Sequence, residues 1–348
     1  MDPLVRKLCA GQRLEVGEFE RLIRGREQVR ELLASRAREV RAQVYGDRVW
    51  IRGLIEFTNW CKNDCLYCGL RCSNHKVERY RLSEEEVLSR CRMGYGAGFR
   101  TFVLQGGEDP LYDPERIAGL VRAIKKGFPD CAVTLSVGEH PREVYELWYQ
   151  SGADRYLLRH ETADPEHYSQ LHPASMCLED RMRCLEDLKD IGYQVGCGFM
   201  VGSPWQTEEH LAKDLSFLQA FRPHMVGIGP FIPQKDTPFR DRTGGTVELT
   251  TFLLSVIRVM LPDVLLPATT ALATIDPDGR EQGIRAGANV CMPNLSPADV
   301  REKYAIYDDK ACAGDEAAEQ LLHLEEKIRL AGCTMSMGRG DHIKMDGR

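Results

Sequence analysis

Residues 61–70 read CKNDCLYCGL and place three thiols, Cys61, Cys65 and Cys68, in a C-x3-C-x2-C spacing. Thiolates are soft donors that bind zinc or iron, so three within a few residues point to a metal centre. A structural zinc site takes four ligands, commonly two C-x2-C pairs a dozen or more residues apart. Here the next thiol is Cys72, four residues on, which is too compressed for a ribbon or finger. Core packing fits badly as well, because Lys62, Asn63 and Asp64 separate the first two cysteines. An iron–sulfur cube remains: tight spacing on one loop wraps it, and three thiolates leave one iron without a protein ligand. An open metal position is what separates a catalytic from a structural site. A plain electron carrier has no use for one.

The rest of the chain bounds what that centre serves. At 348 residues, with 43% hydrophobic and 28% charged, it has the make-up of a soluble globular protein with a large core. A net charge of −6 offers no broad polyanion-binding surface, so nucleic acid is not an expected partner. The first twenty residues hold no uninterrupted apolar run, and no stretch approaches the roughly 20 apolar residues that span a bilayer. Thirteen cysteines, an odd number scattered along a long chain, suit reduced thiols in a cytoplasmic protein better than a disulfide framework.

The elements that must position the cysteines follow from periodicity. Residues 17–44 carry an apolar stripe at Leu22, Val29, Leu33 and Val40, which predicts a covering helix. From residue 49 onward, eight strand-like runs appear, and each of the first seven is followed by a helix-like one. Ser83 with Glu86 forms a capping box, and Asp113 before Pro114 marks a second helix start. Such alternation requires parallel pairing. We therefore expect an α/β fold, a complete (β/α)8 TIM-type barrel over residues 46–300. Covering helices fill residues 1–45, and a loop, helix and tail over 301–348 close the barrel. The tail from residue 333 is polar and glycine-bearing and is expected to be loose. Barrel active sites gather at the C-terminal strand ends. The runs here end in Glu56, Gln105–Glu108, Ser136, Arg159–Glu161, Met200 and Thr269–Thr270.

The three-cysteine motif, with Tyr67 just before the last thiol and on the loop after the first strand, resembles the radical S-adenosylmethionine (SAM) superfamily. That resemblance implies a 4Fe–4S cluster on Cys61, Cys65 and Cys68 and SAM as the second cofactor. GGEDP (106–110) is similar to the superfamily's GGE motif, which assigns Gly106, Gly107 and Glu108 to the SAM amino group. Tyr67, Ser136, Glu161, Arg181 and Ile232, within GIGPFIP (227–233), match further SAM-binding positions.

Within the superfamily, IEFTNWCKNDCLYCGLR, ADRYLLRHETADP and LPATTALATIDPDGRE resemble the HydE family of FeFe hydrogenase maturation enzymes, with methylornithine synthase and biotin synthase as neighbours. The family implies a small anionic, cysteine-derived iron–carbonyl–cyanide substrate. It also implies a reduced donor such as a ferredoxin or flavodoxin, and HydG- and HydF-type maturases as partners. Carried residue by residue, Arg52, Gln105, Thr134, Arg159, Thr269, Thr270, Tyr304 and Tyr307 would line the interior beyond SAM. Tyr304 and Tyr307 could equally plug the barrel, and Thr134 could be an ordinary strand residue. Some HydE proteins carry a second cysteine set; here Cys312 stands without the partners of that pattern, so no auxiliary cluster is expected. Two other readings stand beside this one: a methylornithine-synthase-like mutase, and a non-catalytic iron–sulfur electron carrier.

Overall fold

The computed structural model describes residues 2–311 and 317–345. Its strands, in chain order, are β1 (Arg48–Ile51), β2 (Gly53–Thr58), β3 (Thr101–Gly106), β4 (Ala132–Ser136), β5 (Arg155–Leu157) and β6 (Gln194–Cys197). They continue with β7 (Met200–Val201), β8 (Met225–Val226), β9 (Gly229–Pro230), β10 (Val290–Cys291) and β11 (Thr334–Ser336). The main sheet has six parallel strands in the order β2-β3-β4-β5-β6-β8. Its strands are nearly continuous apolar runs because helices cover their outer face: Ile55, Phe57, Phe102, Leu104, Val133 and Leu135 are all buried.

Register decides what shares an edge. Glu56 pairs with Gln105, and Gln105 with Ser136, so the polar ends of three strands stand side by side. Thr134 pairs with Arg155, and Arg155 with Gln194, one layer lower. Beyond β8 the backbone bonds run on. Val226 N–H donates to the Leu265 carbonyl (2.9 Å), Ala268 N–H to that of Val290 (2.9 Å) and Leu54 N–H to that of Pro293 (2.9 Å). β1 pairs in parallel with both β10 and β11.

The expected helix starts are present: Ser83 and Glu86 cap reciprocally, and the Asp113 carboxylate accepts from the Arg116 N–H at 2.8 Å. Three expectations change. The helix expected over 17–44 is two, Val16–Arg24 and Arg26–Tyr45, parted at Gly25. The run LLPATTALATI is extended only in its first residues. Thr270–Ile275 is helical, since Ala and Leu are strong helix formers; Thr269 stands at its N-cap position without a side-chain capping bond.

The tail is not loose. β11 adds to β1, and the residues after it seat against the N-terminal ends of the strands. Gly340 accepts from Arg52 (3.0 Å) and Arg339 from Arg155 (2.8 Å), through their carbonyls. Asp341 accepts from Arg155 (2.5 Å), Gln194 (2.7 Å) and Arg339 (2.7 Å). Burial works to raise the Asp341 carboxyl, but Arg155 and these hydrogen bonds hold it well below the usual carboxylate range. Its contribution to stability is therefore present above an unfolded carboxylate pKa of about 3.9 and lost as pH falls below it. D341N is expected to cost about 3 kcal/mol at neutral pH, because Arg155 is left buried without its counter-charge. Urea unfolding should show that gap narrowing below about pH 4.

Candidate functional site

The segment between β2 and helix Glu84–Gly96 has little regular structure, so side chains must fix it. The Arg79 guanidinium donates to four carbonyls, of Asn59 (2.5 Å), Leu70 (3.0 Å), Arg71 (2.8 Å) and Asn74 (3.2 Å). Arg71 donates twice to Asp64 (2.8 and 2.5 Å), which holds that carboxyl well below its ordinary range. Arginine's planar fork suits such multi-point stitching.

Cys61, Cys65 and Cys68 are all partly buried on this loop. Burial raises all three thiols; the neighbouring thiols Cys68 and Cys61 push Cys65 up further, and Cys68 reaches about 12. Metal ligation needs thiolates, so the cationic irons of a cluster would have to supply the deprotonating charge. Besides one another, the groups acting on these thiols include Glu108, Glu161, Arg79 and Arg181. Among the described residues, no three Cys, His, Asp or Glu side chains gather as tightly as a single metal ion requires. A cube, whose ligands attach at separate corners, asks for a wider spread.

The loop after β3 is fastened to the cysteine loop. At Gly107 a Cβ would overlap the Trp60 carbonyl and the Cys61 side chain, so only glycine permits the approach. Lys62 N–H donates to the Glu108 carbonyl (2.9 Å), and its ammonium lies 3.2 Å from the Glu108 carboxylate. That carboxylate also accepts from the Glu139 N–H at 3.0 Å. Asp109 accepts from Arg81 twice (2.6 and 2.9 Å) and from Thr58 Oγ1 (2.6 Å).

A cavity of about 390 Å³ opens at the C-terminal strand ends, within the usual range for a small-molecule site. Cys65, Tyr67 and Cys68 face it from the loop, and Gln105, Gly106 and Ser136 from the sheet. Arg159, Glu161, Arg181, Ile232, Thr269 and Thr270 line it from later segments, and Tyr304, Tyr307 and Lys310 from residues 302–311. Tyr67 is held by His172, whose Nδ1 faces the Tyr168 carbonyl at 2.9 Å. A proton there leaves Nε2 to accept the Tyr67 hydroxyl at 3.2 Å. The Arg181 Nη1 donates to the Arg159 carbonyl (3.1 Å), and its Nε lies 2.5 Å from Glu139 without hydrogen-bond alignment. Burial opposes the Arg181 charge, but Tyr168, Glu139, Tyr67 and Glu108 outweigh it and raise the guanidinium above its ordinary value. Glu161 sits at φ 66°, a left-handed conformation costly for a non-glycine, which marks a residue held for a purpose.

Several polar atoms here are buried and unpartnered: Glu161 Oε2, Arg159 Nε and Nη2, Arg181 Nε and Thr269 Oγ1. Arg159 Nη2 lies 2.9 Å from Glu161 Oε2, yet misaligned. Orphaned groups on one cavity are what a polar, zwitterionic ligand such as SAM would satisfy.

Gly107 and Glu108 stand just outside this cavity, Glu108 on the neighbouring groove with Lys62, Asn63 and Glu139. Arg52 and Thr134, expected on the interior beyond SAM, are not brought to it. Arg52 is fully buried at the opposite end, against Met225 Sδ (3.1 Å) and the Gly340 carbonyl. It shares a void of about 10 Å³ with Thr134, Arg155 and Gln194. Inward-facing strand residues form layers, and depth along the strand decides which layer reaches the cavity. Cys312 lies outside the described residues.

Sequence reasoning missed Lys310, whose ammonium contacts the Glu56 carboxylate inside the cavity. Glu56 was visible as a polar strand end. Lys310 gave no signal, since it stands in an aperiodic loop after the last strand.

Residues 55–218 match the family profile described as the Radical SAM superfamily. The chain is 47% identical over 302 residues to the FeFe hydrogenase maturase subunit HydE of Thermotoga maritima, covering 87% of this chain and 86% of that protein. It is 35% identical to 3-methylornithine synthase of Methanosarcina barkeri, over 80% of this chain and 78% of the other. The crystal structure of methylornithine synthase (PylB) superposes with a TM-score of 0.82 at 28% identity, covering 96% of this chain and 97% of that one.

Proposed function

The chain belongs to the radical SAM superfamily and is a radical SAM enzyme, and on that premise we propose that it works in FeFe hydrogenase maturation on a small cysteine-derived iron–carbonyl–cyanide substrate. One observation carries the reading: the cysteine loop opens, through Cys65 and Cys68, into the same cavity as Arg159, Glu161, Arg181 and Thr269, each with a buried polar atom that lacks an aligned hydrogen bond. Identity to HydE at 47% over most of both chains supports the choice of branch.

Cys61, Cys65 and Cys68 would hold a 4Fe–4S cluster, and their loop, braced by Arg79, would keep the fourth corner free for SAM. When bound, the pair of cofactors supplies a 5′-deoxyadenosyl radical by reductive cleavage of SAM. The chain's own residues bind and aim. Arg181 would take the SAM carboxylate with its fork, Gly106, Gly107 and Glu108 the amino group, and Ser136 and Glu161 the remaining polar edge. Tyr67, fixed by His172, and Ile232 would wall the adenine. Gln105, Arg159, Thr269, Thr270, Tyr304 and Tyr307 would face the substrate, where Arg159 supplies charge for an anionic group. The apolar wall of Leu157, Met200, Phe231 and Met292 would exclude water from the radical's path.

We further propose that residues 265–268 and β10 complete a (β/α)8 barrel. The support is the run of single bridges Met225–Leu265, Pro267–Val290 and Leu54–Asn294. A ferredoxin- or flavodoxin-type donor, HydG- and HydF-type partners, a cytoplasmic setting and the absence of a second cluster complete the proposal. Among the described residues, no helix is long and apolar enough to cross a membrane.

Close superposition on methylornithine synthase keeps a mutase acting on an amino acid as the second reading. Anaerobic single turnover separates the two. We expect the iron–carbonyl–cyanide–cysteine complex, and not a free amino acid, to accelerate SAM consumption and give a new adenosyl-containing product. SAM consumption that depends on a free amino acid and yields a rearranged amino acid would overturn the maturase reading.

A further inference from the structure

Residues 302–311 cross the cavity as an irregular strap after the short helix Ala298–Arg301. Neutral and backbone contacts pin it on both sides. Asn59 Nδ2 donates to the Lys303 carbonyl (2.7 Å), Gly69 N–H to that of Ile306 (3.1 Å) and Ala311 N–H to Thr274 Oγ1 (3.0 Å). Lys310 is turned inward from this strap. Its ammonium rests on Glu56, faces the Tyr304 carbonyl at 3.4 Å and lies 4.9 Å from the centre of the Tyr304 ring. The lysine side chain is 14% exposed and that of Glu56 is 1%. Glu56 is fixed independently, through a 2.7 Å hydrogen bond from Asn294 Nδ2 to its other oxygen.

A buried ion pair adds little net stability, because desolvating both charges offsets their attraction. The strap is anchored without it. Stability therefore does not explain why a lysine is directed into the cavity that Arg159 also lines. Lysine also differs from arginine: its ammonium is a compact point charge on a flexible stem, able to swing between acceptors.

We propose that Lys310 is a substrate-binding residue that takes the anionic group of the substrate, with Glu56 as the positioning residue that holds its ammonium at the cavity wall. This rests on reading the cavity as the substrate site of a radical SAM enzyme. Arg159 and Lys310 then supply two cations, one from the strand ends and one from the strap. Specificity for anionic substrates follows because a neutral ligand would displace water from both cations and return no charge to either.

The test uses the full-length, cluster-loaded, SAM-bound protein, titrated anaerobically with the iron–carbonyl–cyanide–cysteine complex and, in parallel, with L-cysteine. K310Q is expected to weaken binding of the anionic probe at least about tenfold, the effect of losing a charged hydrogen bond. K310R, which keeps the charge, should recover most of it, and K310Q should keep the wild-type rate of tryptic cutting after Arg301 and Lys303, which a purely structural role through the Glu56 pair would raise. Wild-type affinity in K310Q would overturn the proposal. So would faster tryptic cutting after Arg301 or Lys303 with affinity unchanged, because Lys310 would then be only a latch. If cysteine alone binds and K310Q weakens it, the iron complex is retired as substrate and the role of Lys310 stands. If wild type binds neither probe while still cleaving SAM, both the substrate reading and this proposal fail.

Discussion

Replacing Cys65 by serine is expected to leave anaerobically reconstituted protein with less than about one iron per chain, where wild type holds about four, and to abolish release of 5′-deoxyadenosine from SAM. Cys65 is the middle thiol of the loop, lines the cavity and is pushed up by burial and by both neighbouring thiols, so its deprotonated form needs the positive charge of iron. A serine hydroxyl is a harder and far weaker acid, and the same environment would keep it protonated. The scaffold does not pass through the thiol: Arg79, the Asp64–Arg71 pair and the Asp109–Arg81 pair all remain. The apo forms of mutant and wild type should therefore melt within a few degrees of each other. Iron assay, the absorbance of the reconstituted protein and chromatographic detection of 5′-deoxyadenosine check it. A C65S protein with full iron and full turnover would be incompatible with the site described.

The second large effect is expected at Arg181. R181M should weaken SAM binding about 100-fold, measured by anaerobic equilibrium dialysis, while leaving the iron content of the protein close to wild type. The guanidinium is buried beside Glu139 and lines the cavity, so a carboxylate arriving there meets a donor group already desolvated and in place. Methionine matches much of its volume and removes its charge. Glu139, raised by burial and eased by Arg181, would then be driven toward its neutral form. R181K should recover little, because an ammonium cannot present two parallel donors to a carboxylate. Equal loss of iron and SAM in R181M would mean that Arg181 acts on the cluster loop and not on SAM.

How much of this could be read from the chain depended on whether the signal was local. The capping box at Ser83 and the Asp113–Pro114 helix start are carried by neighbouring residues, and each has its counterpart in the structure; the C-x3-C-x2-C spacing is as local and falls within the match to the Radical SAM superfamily. Strand–helix alternation likewise announced parallel pairing, and six strands pair that way. Depth along a strand is not local. Arg52, between β1 and β2, and Gln105, on the neighbouring β3, are both polar side chains, yet Gln105 reaches the cavity and Arg52 meets Gly340 at the far end. Periodicity of two distinguishes inside from outside and says nothing of height. The tail failed for the same reason: Asp341 gains its meaning from Arg155 and Gln194, well over a hundred residues earlier. Lys310 depends on Glu56 at comparable separation. The ATTALATI segment misled for another reason, because its β-branched residues fit a strand while Ala and Leu propensity favours the helix it forms.

The most direct measurement is electron–nuclear double resonance on the reduced wild-type cluster mixed with SAM labelled at its amino nitrogen. The label should couple to one iron, as it must if that corner has no ligand from the chain, and the coupling should vanish when SAM is omitted. A spectrum unchanged by labelled SAM, in which a nitrogen or fourth thiolate of the protein itself occupies that iron, would contradict the account at its root.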